Sequence, residues 1–155
     1  YLNNTYVNTI VCLDETEVIG TFLAEELADT SRLSLSADNN ISVITPEYNT
    51  LGQIMFRDNK QRMIENQQVL ILAASITTGK TISKAIESIL YYGGTVCGVS
   101  AIFSAVTKVA GMEIKTIFTS KDIPDYRAYE PSDCPMCKAG QRVEAIVNSF
   151  GYSKL

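Results

Sequence analysis

The sequence predicts an α/β fold, a parallel sheet flanked by helices. Three observations carry that reading. Short, continuous apolar runs recur at 6–13, 69–72, 95–103 and 114–118, of the kind that fill strands buried on both faces. Stretches with apolar residues at helical spacing alternate with them, among them Ile82, Ala85, Ile86, Ile89 and Leu90. Polar loops link run to helix, an order that parallel strands with helices on both faces require. In such sheets ligands bind beyond the carboxyl ends of the strands.

Composition narrows the function. At 155 residues the chain can enclose a single packed core, and 46% apolar content is normal for a globular domain. Thirteen basic against 17 acidic residues give a net charge of −4, which disfavours nucleic acid as a partner. The apolar runs are far short of a membrane span and no signal peptide precedes Tyr1, so no membrane partner and a cytoplasmic location are expected. Cys12 and Cys97 lie inside apolar runs, which speaks against a secreted disulfide scaffold. The chain has no His, and so no Ser-His or Cys-His nucleophile and no His-bound metal. With no Met at position 1 and a strand starting almost at once, N-terminal residues of the natural protein are expected to be missing. A cap over an active site would be missing with them.

Taken in order, 6–13 is the first strand, and Asp14-Glu15-Thr16-Glu17 ends it. A helix follows through Val18, Ile19, Phe22, Leu23 and Leu27, with Gly20 marking close packing of helix on sheet. Asp14 and Glu15 stand where N-caps and first-turn acids belong. Residues 30–40 form a Ser/Asp/Asn-rich connection, and 41–45 a second strand stopped by Pro46. From 47 to 67 no long period fits, and a hairpin or a mobile excursion around Ile54-Met55-Phe56 is expected.

The stretch from Gln68 to Ile82 concentrates the chemistry. Val69 to Leu72 is the strand; then come Ala73, Ala74 and Ser75, the loop Thr77-Thr78-Gly79-Lys80-Thr81, and the helix. Unpaired N–H groups at a helix N-terminus and the helix dipole favour an anion there. Thr hydroxyls and the Lys80 ammonium add donors. The loop reads as a phosphate cradle of Ser75, Thr77, Thr78, Gly79, Lys80 and Thr81. Downstream, Tyr91-Tyr92-Gly93-Gly94 ends the helix with Gly. The strands at 95–103 and 114–118 follow.

Two families use such a loop. The P-loop, G-x-x-x-x-G-K-[ST], fits Gly79-Lys80-Thr81 but has Ala74 at its first Gly, and no downstream strand ends in a Walker B acid. The ribose-phosphate motif of the type I phosphoribosyltransferases is four apolar residues, two acids, two variable residues and Thr-Thr-Gly-x-Thr. Residues 69–81 match it without a gap, except that the acidic pair is Ala73-Ala74. The order of elements from 6 to 118, and Cys134-Pro135-Met136-Cys137-Lys138-Ala139-Gly140 in the tail, also resemble the orotate kind of this family.

The resemblance implies a Rossmann-like type I core over 1–125, with the tail 126–155 packed on the same domain. It implies 5-phosphoribosyl 1-diphosphate or a nucleotide as ligand, Mg²⁺ if the chain is active, and a homodimer. It gives Asp14, Glu15 and Thr16 a second reading, as the loop that contacts the donor's pyrophosphate; capping is the other. It sets Arg57, Lys60 and Arg62 in the region of a flexible loop that closes over substrate, a solvated hairpin being the alternative. In active members the acidic pair accepts hydrogen bonds from the ribose hydroxyls, which Ala cannot do. Two charge-assisted bonds of roughly 1.5–3 kcal/mol each correspond to on the order of 10²- to 10⁴-fold in rate. Weakened or lost transfer is therefore expected, and a non-catalytic phosphoribose- or nucleotide-sensing module is the alternative. Restoring Ala73→Asp and Ala74→Glu should return turnover if nothing else is missing.

The tail is polar and is expected to end in a short helix bearing Val143, Ile146, Val147 and Phe150. Cys134 and Cys137 resemble half of a zinc site, which wants four ligands. Free thiols, a Zn²⁺ shared between chains and a reversible disulfide all remain open.

Overall fold

Alternation decides which face of the sheet each strand residue serves. In the computed structural model, which describes residues 6–32, 40–130, 132–148 and 151–155, β1 (Thr9–Cys12) is buried at every position. Ile10 and Cys12 turn to one face, with Leu70 and Leu72 of β5 (Gln68–Ile76). Val11 turns to the other, with Val69, Ile71 and Ala73. α1 (Glu17–Arg32) covers the first face through Ala24, Leu23 and Leu27. α3 (Lys80–Tyr91) covers the second through Ile82, Ala85, Ile86 and Ile89.

The remaining elements complete a six-stranded sheet in the order β2-β1-β5-β6-β8-β7. Here β2 is Ser42–Ile44, β6 Thr95–Ser104, β7 Lys108–Val109 and β8 Met112–Thr119. Every pairing is parallel except β7 with β8. The sheet is thus mixed but mostly parallel, with β5 between β1 and β6. Between β2 and β5 the chain forms a hairpin of β3 (Glu47–Tyr48) and β4 (Ile54–Met55), then the single turn α2 (Asp58–Gln61).

Several boundaries differ from the sequence reading. The 47–67 stretch is a hairpin that belongs to the core: Ile54, Phe56 and Ile64 are buried beside α3, and Phe56 meets Tyr92 edge-on at 5.6 Å between ring centres. β5 continues through Ala73, Ala74 and Ser75, because Ser75 and Ile76 still pair with Phe103 and Ser104. β6 and β8 are joined without a helix; the connection carries β7 instead. Of the apolar residues expected on the inner face of α1, Val18, Ile19 and Phe22 are 70%, 45% and 66% exposed. The inner face is set by Gly20, where a Cβ would overlap Cys12 Sγ. α3 closes as a Schellman motif, Gly93 N–H donating to Leu90 O and Gly94 N–H to Ile89 O.

The chain divides into two units, Tyr1–Ile123 and Pro124–Leu155. The second contains the one-turn helix α4 (Pro135–Lys138) and a hairpin of β9 (Ala145–Asn148) and β10 (Gly151–Lys154). The expected C-terminal helix is therefore a hairpin. Val143, Ile146 and Val147 are exposed, and Phe150 lies outside the described residues. Among the described residues no helix is long and apolar enough to cross a membrane.

Candidate functional site

At the carboxyl end of β5 the chain spends only Thr77, Thr78 and Gly79 before α3 begins. Gly79 is the helix N-cap in the left-handed region, at φ 80°, and a Cβ there would overlap Val109 Cγ2. Glycine is therefore required twice over, by backbone and by space. Ser83 N–H donates to Gly79 O at 2.9 Å and opens the helix ladder. The N–H groups of the first turn have no acceptor within the helix.

Facing this loop is the end of β1. Asp14 and Glu15 both take positive φ, 54° and 60°, a sharp left-handed turn that non-glycine residues rarely make. A cleft of about 220 Å³ lies between Asp14 and the loop, lined by Leu13 and Asp14 on one side and by Ser75 to Ile82 on the other. All six cradle residues therefore line one cleft, together with Asp14. Partial withdrawal from water pushes the Asp14 carboxyl above its usual range, opposed by the Ser75 N–H that it accepts. Partial burial, with the Asp14 charge adding to it, pushes the Tyr48 phenol upward.

The other residues singled out from the sequence fall elsewhere. Thr16 is 2% exposed, and its hydroxyl donates to Leu13 O at 2.8 Å and Leu72 O at 3.2 Å, tying the turn to the sheet. Glu15 is exposed and does not line the cleft. The ladder of α1 starts from Thr16 O, which accepts Gly20 N–H at 2.8 Å. Arg57 Nε donates to the Glu47 carboxylate at 2.7 and 2.9 Å, and Lys60 Nζ donates to Thr45 O at 2.8 Å. Arg62 is exposed, and none of the three basic residues lines the cleft. Sequence reasoning missed Tyr48 and Val109. Both sit in two-residue strands, too short to show any period.

The ribose-binding pair is absent in space as well as in sequence. Ala73 is 0% exposed, in the core beneath α3, and Ala74 is half-buried on the opposite side of β5. Among the described residues Asp14 is the one carboxylate on the cleft wall. Among the described residues no group of three or more His, Cys, Asp or Glu is placed to hold a metal. Asp14 and the Ser and Thr hydroxyls are hard oxygen donors, too few to cage a Mg²⁺ by themselves but of the kind that would serve one carried in with a phosphate ligand.

In the second unit, Cys134 is the N-cap of α4. Interaction with Cys137, and less with Met136, draws its thiol below the ordinary range, while the neighbouring Cys134 sulfur pushes the Cys137 thiol up. Burial pushes the Cys12 and Cys97 thiols up, so both are poor ligands.

No family model matches the chain. Among solved structures it is similar to an adenine phosphoribosyltransferase of Thermoanaerobacter pseudethanolicus, at 16% identity over 76% of this chain and 73% of that one, with a TM-score of 0.55. It is also similar to the UMP synthase of Leishmania donovani, at 13% identity over 92% of this chain and 28% of that one, with a TM-score of 0.53. The fold is that of the type I phosphoribosyltransferases. In sequence the chain is similar to orotate phosphoribosyltransferases. It is 32% identical over 78 residues to the orotate phosphoribosyltransferase of Caldicellulosiruptor bescii, and 29% over 76 residues to that of Pelotomaculum thermopropionicum. These matches cover 49% and 48% of this chain but 39% and 38% of the relatives, so the chain spans about two fifths of the length of the curated relatives it matches.

Proposed function

We propose that the cleft binds the phosphate end of a phosphoribosyl group, as 5-phosphoribosyl 1-diphosphate or as a nucleotide, and that transferase turnover is weakened or lost. One observation carries this: the Thr77–Thr81 cradle is whole at the N-terminus of α3, while the adjoining strand offers Ala73 and Ala74 where ribose would need acceptors. Thr77, Thr78 and Thr81 supply hydroxyl donors, Gly79 lets the backbone approach, and Lys80 adds charge near a phosphate. Nothing in that recognition depends on the missing acids.

The relatives' names make orotate the acceptor to try first, in a pentosyl transfer from the diphosphate donor. A second reading, a non-catalytic module sensing phosphoribose or nucleotide, is favoured by the burial of Ala73, which leaves a core residue at a ribose-binding position. A homodimer and a cytoplasmic location belong to the same proposal, by likeness of class.

Calorimetric titration with 5-phosphoribosyl 1-diphosphate and Mg²⁺, with ATP and Mg²⁺ as control, tests binding; orotate turnover on the same sample tests transfer. Donor binding with slow turnover supports an impaired transferase, and donor binding with none supports the sensing module. Binding of ATP alone, or of neither ligand, overturns the proposal.

A further inference from the structure

The second unit contains chemistry that the phosphate site does not use. Cys134 stands just outside α4 with extended backbone, φ −64° and ψ 116°, and Pro135 fixes the first helical position. Cys137 lies three residues on, within the same turn, and Lys138 N–H donates to Cys134 O at 3.0 Å to close it. A four-residue turn brings its end Cα atoms within about 7 Å, and a disulfide spans about 4.4–6.8 Å. Each thiol perturbs the other, Cys134 being drawn below its ordinary range and Cys137 pushed above it, as for two sulfurs on one turn. Cys134 is half-buried and Cys137 exposed, so a small reagent can reach both, whereas Cys12 is buried and Cys97 half-buried within β6.

We propose that Cys134 and Cys137 form a thiol–disulfide exchange site, with Cys134 as the attacking sulfur and Cys137 as the resolving one. The oxidant is a small-molecule disulfide. Cys134 thiolate attacks one of its sulfurs, forming a mixed disulfide and expelling a thiolate, which takes up the proton Cys134 gave up. Cys137 sulfur then attacks Cys134 Sγ, expelling the second small thiol, which takes the Cys137 proton. The protein dithiol is oxidised by two electrons and the reagent disulfide is reduced to two thiols. The attacking role falls to Cys134, the thiol drawn below its ordinary range, and the resolving role to Cys137, three residues on in the same turn. The pair alone suffices for exchange. A structural Zn²⁺ would want four ligands, and no third His, Cys, Asp or Glu joins the pair among the described residues.

The test uses the full chain equilibrated with oxidised and reduced glutathione, followed by alkylation and peptide mapping. The native chain should lose both thiol hydrogens in a Cys134–Cys137 bond, and reduced glutathione should restore them. Cys137→Ser should stop at a stable glutathione adduct on Cys134; Cys134→Ser should react severalfold more slowly and form no internal bond. Equal reaction rates for the two variants, with no internal bond in the native chain, would overturn the proposal. So would native chain that retains zinc through dialysis with both thiols shielded from alkylation. Both cysteines lie outside the apolar core, and circular dichroism of the variants checks that neither change unfolds the chain.

Discussion

Ala73 and Ala74 are neighbours in sequence and opposites in environment. A carboxylate at 73 would enter a dry core lined by Ile71, Ile82 and Ala85, with no partner to offset its lost hydration. Ala73→Asp should therefore cost about 3–5 kcal/mol of stability, read as a fall in the denaturation midpoint, while Ala74→Glu at its half-buried position should cost far less. Restoring both acids is consequently not the clean rescue the motif suggests, and a gain of turnover in Ala73→Asp at native-like stability would refute this account. Asp14 supports a second expectation. Its carboxyl is raised in the folded chain, so its neutral form is favoured there, and its ionisation lowers stability as pH rises through the folded value, above 3.8. The same ionisation puts negative charge on the wall of an anion site. Inorganic phosphate should bind Asp14→Asn roughly fivefold more tightly than the native chain, for about 1 kcal/mol of repulsion. The native affinity should fall with pH across that titration, and the variant's should not. Identical pH profiles in the two would show that Asp14 does not face the anion.

At the scale of elements, the hairpin and the turn after it are the part most easily misread. Polar residues and basic side chains make 47–67 look like a solvated flap, yet Phe56 is 2% exposed and Ser88 Oγ donates to Ile54 O at 3.0 Å. Arg57 is engaged with Glu47, an exposed pair whose contribution to stability is small. Burial of single side chains, not ion pairing, holds the element down. Phe56→Ala should destabilise the chain by about 3–5 kcal/mol in a denaturant titration. A change below about 1 kcal/mol would mean that the hairpin moves independently of the core.

At the scale of the molecule, every buried apolar residue among those described precedes Ile123, and so does the whole six-stranded sheet. A chain ending at Ile123 should therefore fold cooperatively, with one thermal transition close to that of the full chain by circular dichroism. A broad, non-cooperative melt would show that the first unit needs Pro124–Leu155. The curated relatives are matched over about two fifths of their length, so whole-protein activity is a question for the turnover assay.

The sequence by itself determined the strand–loop–helix at 68–91 and the parallel core around it. Those features follow from local rules: an apolar run, a change of period, and a glycine at the loop position that takes positive φ. Gly20 was legible for the same reason, as a missing side chain inside a helical pattern. Tertiary structure decided what depends on partners distant in sequence. β5 runs past the motif's acid positions because β6 continues beside it, and Ala73 is buried because α3 folds back over it. Thr16 donates to the carbonyls of Leu13, just past β1, and Leu72 in β5, and the basic residues near 57–62 are engaged or exposed away from the cleft wall. Val18, Ile19 and Phe22 have the right spacing for a helix face, but Gly20 alone permits the close approach to Cys12, so the other side of α1 turns inward. Spacing specifies which residues share a face; contact specifies which face is buried.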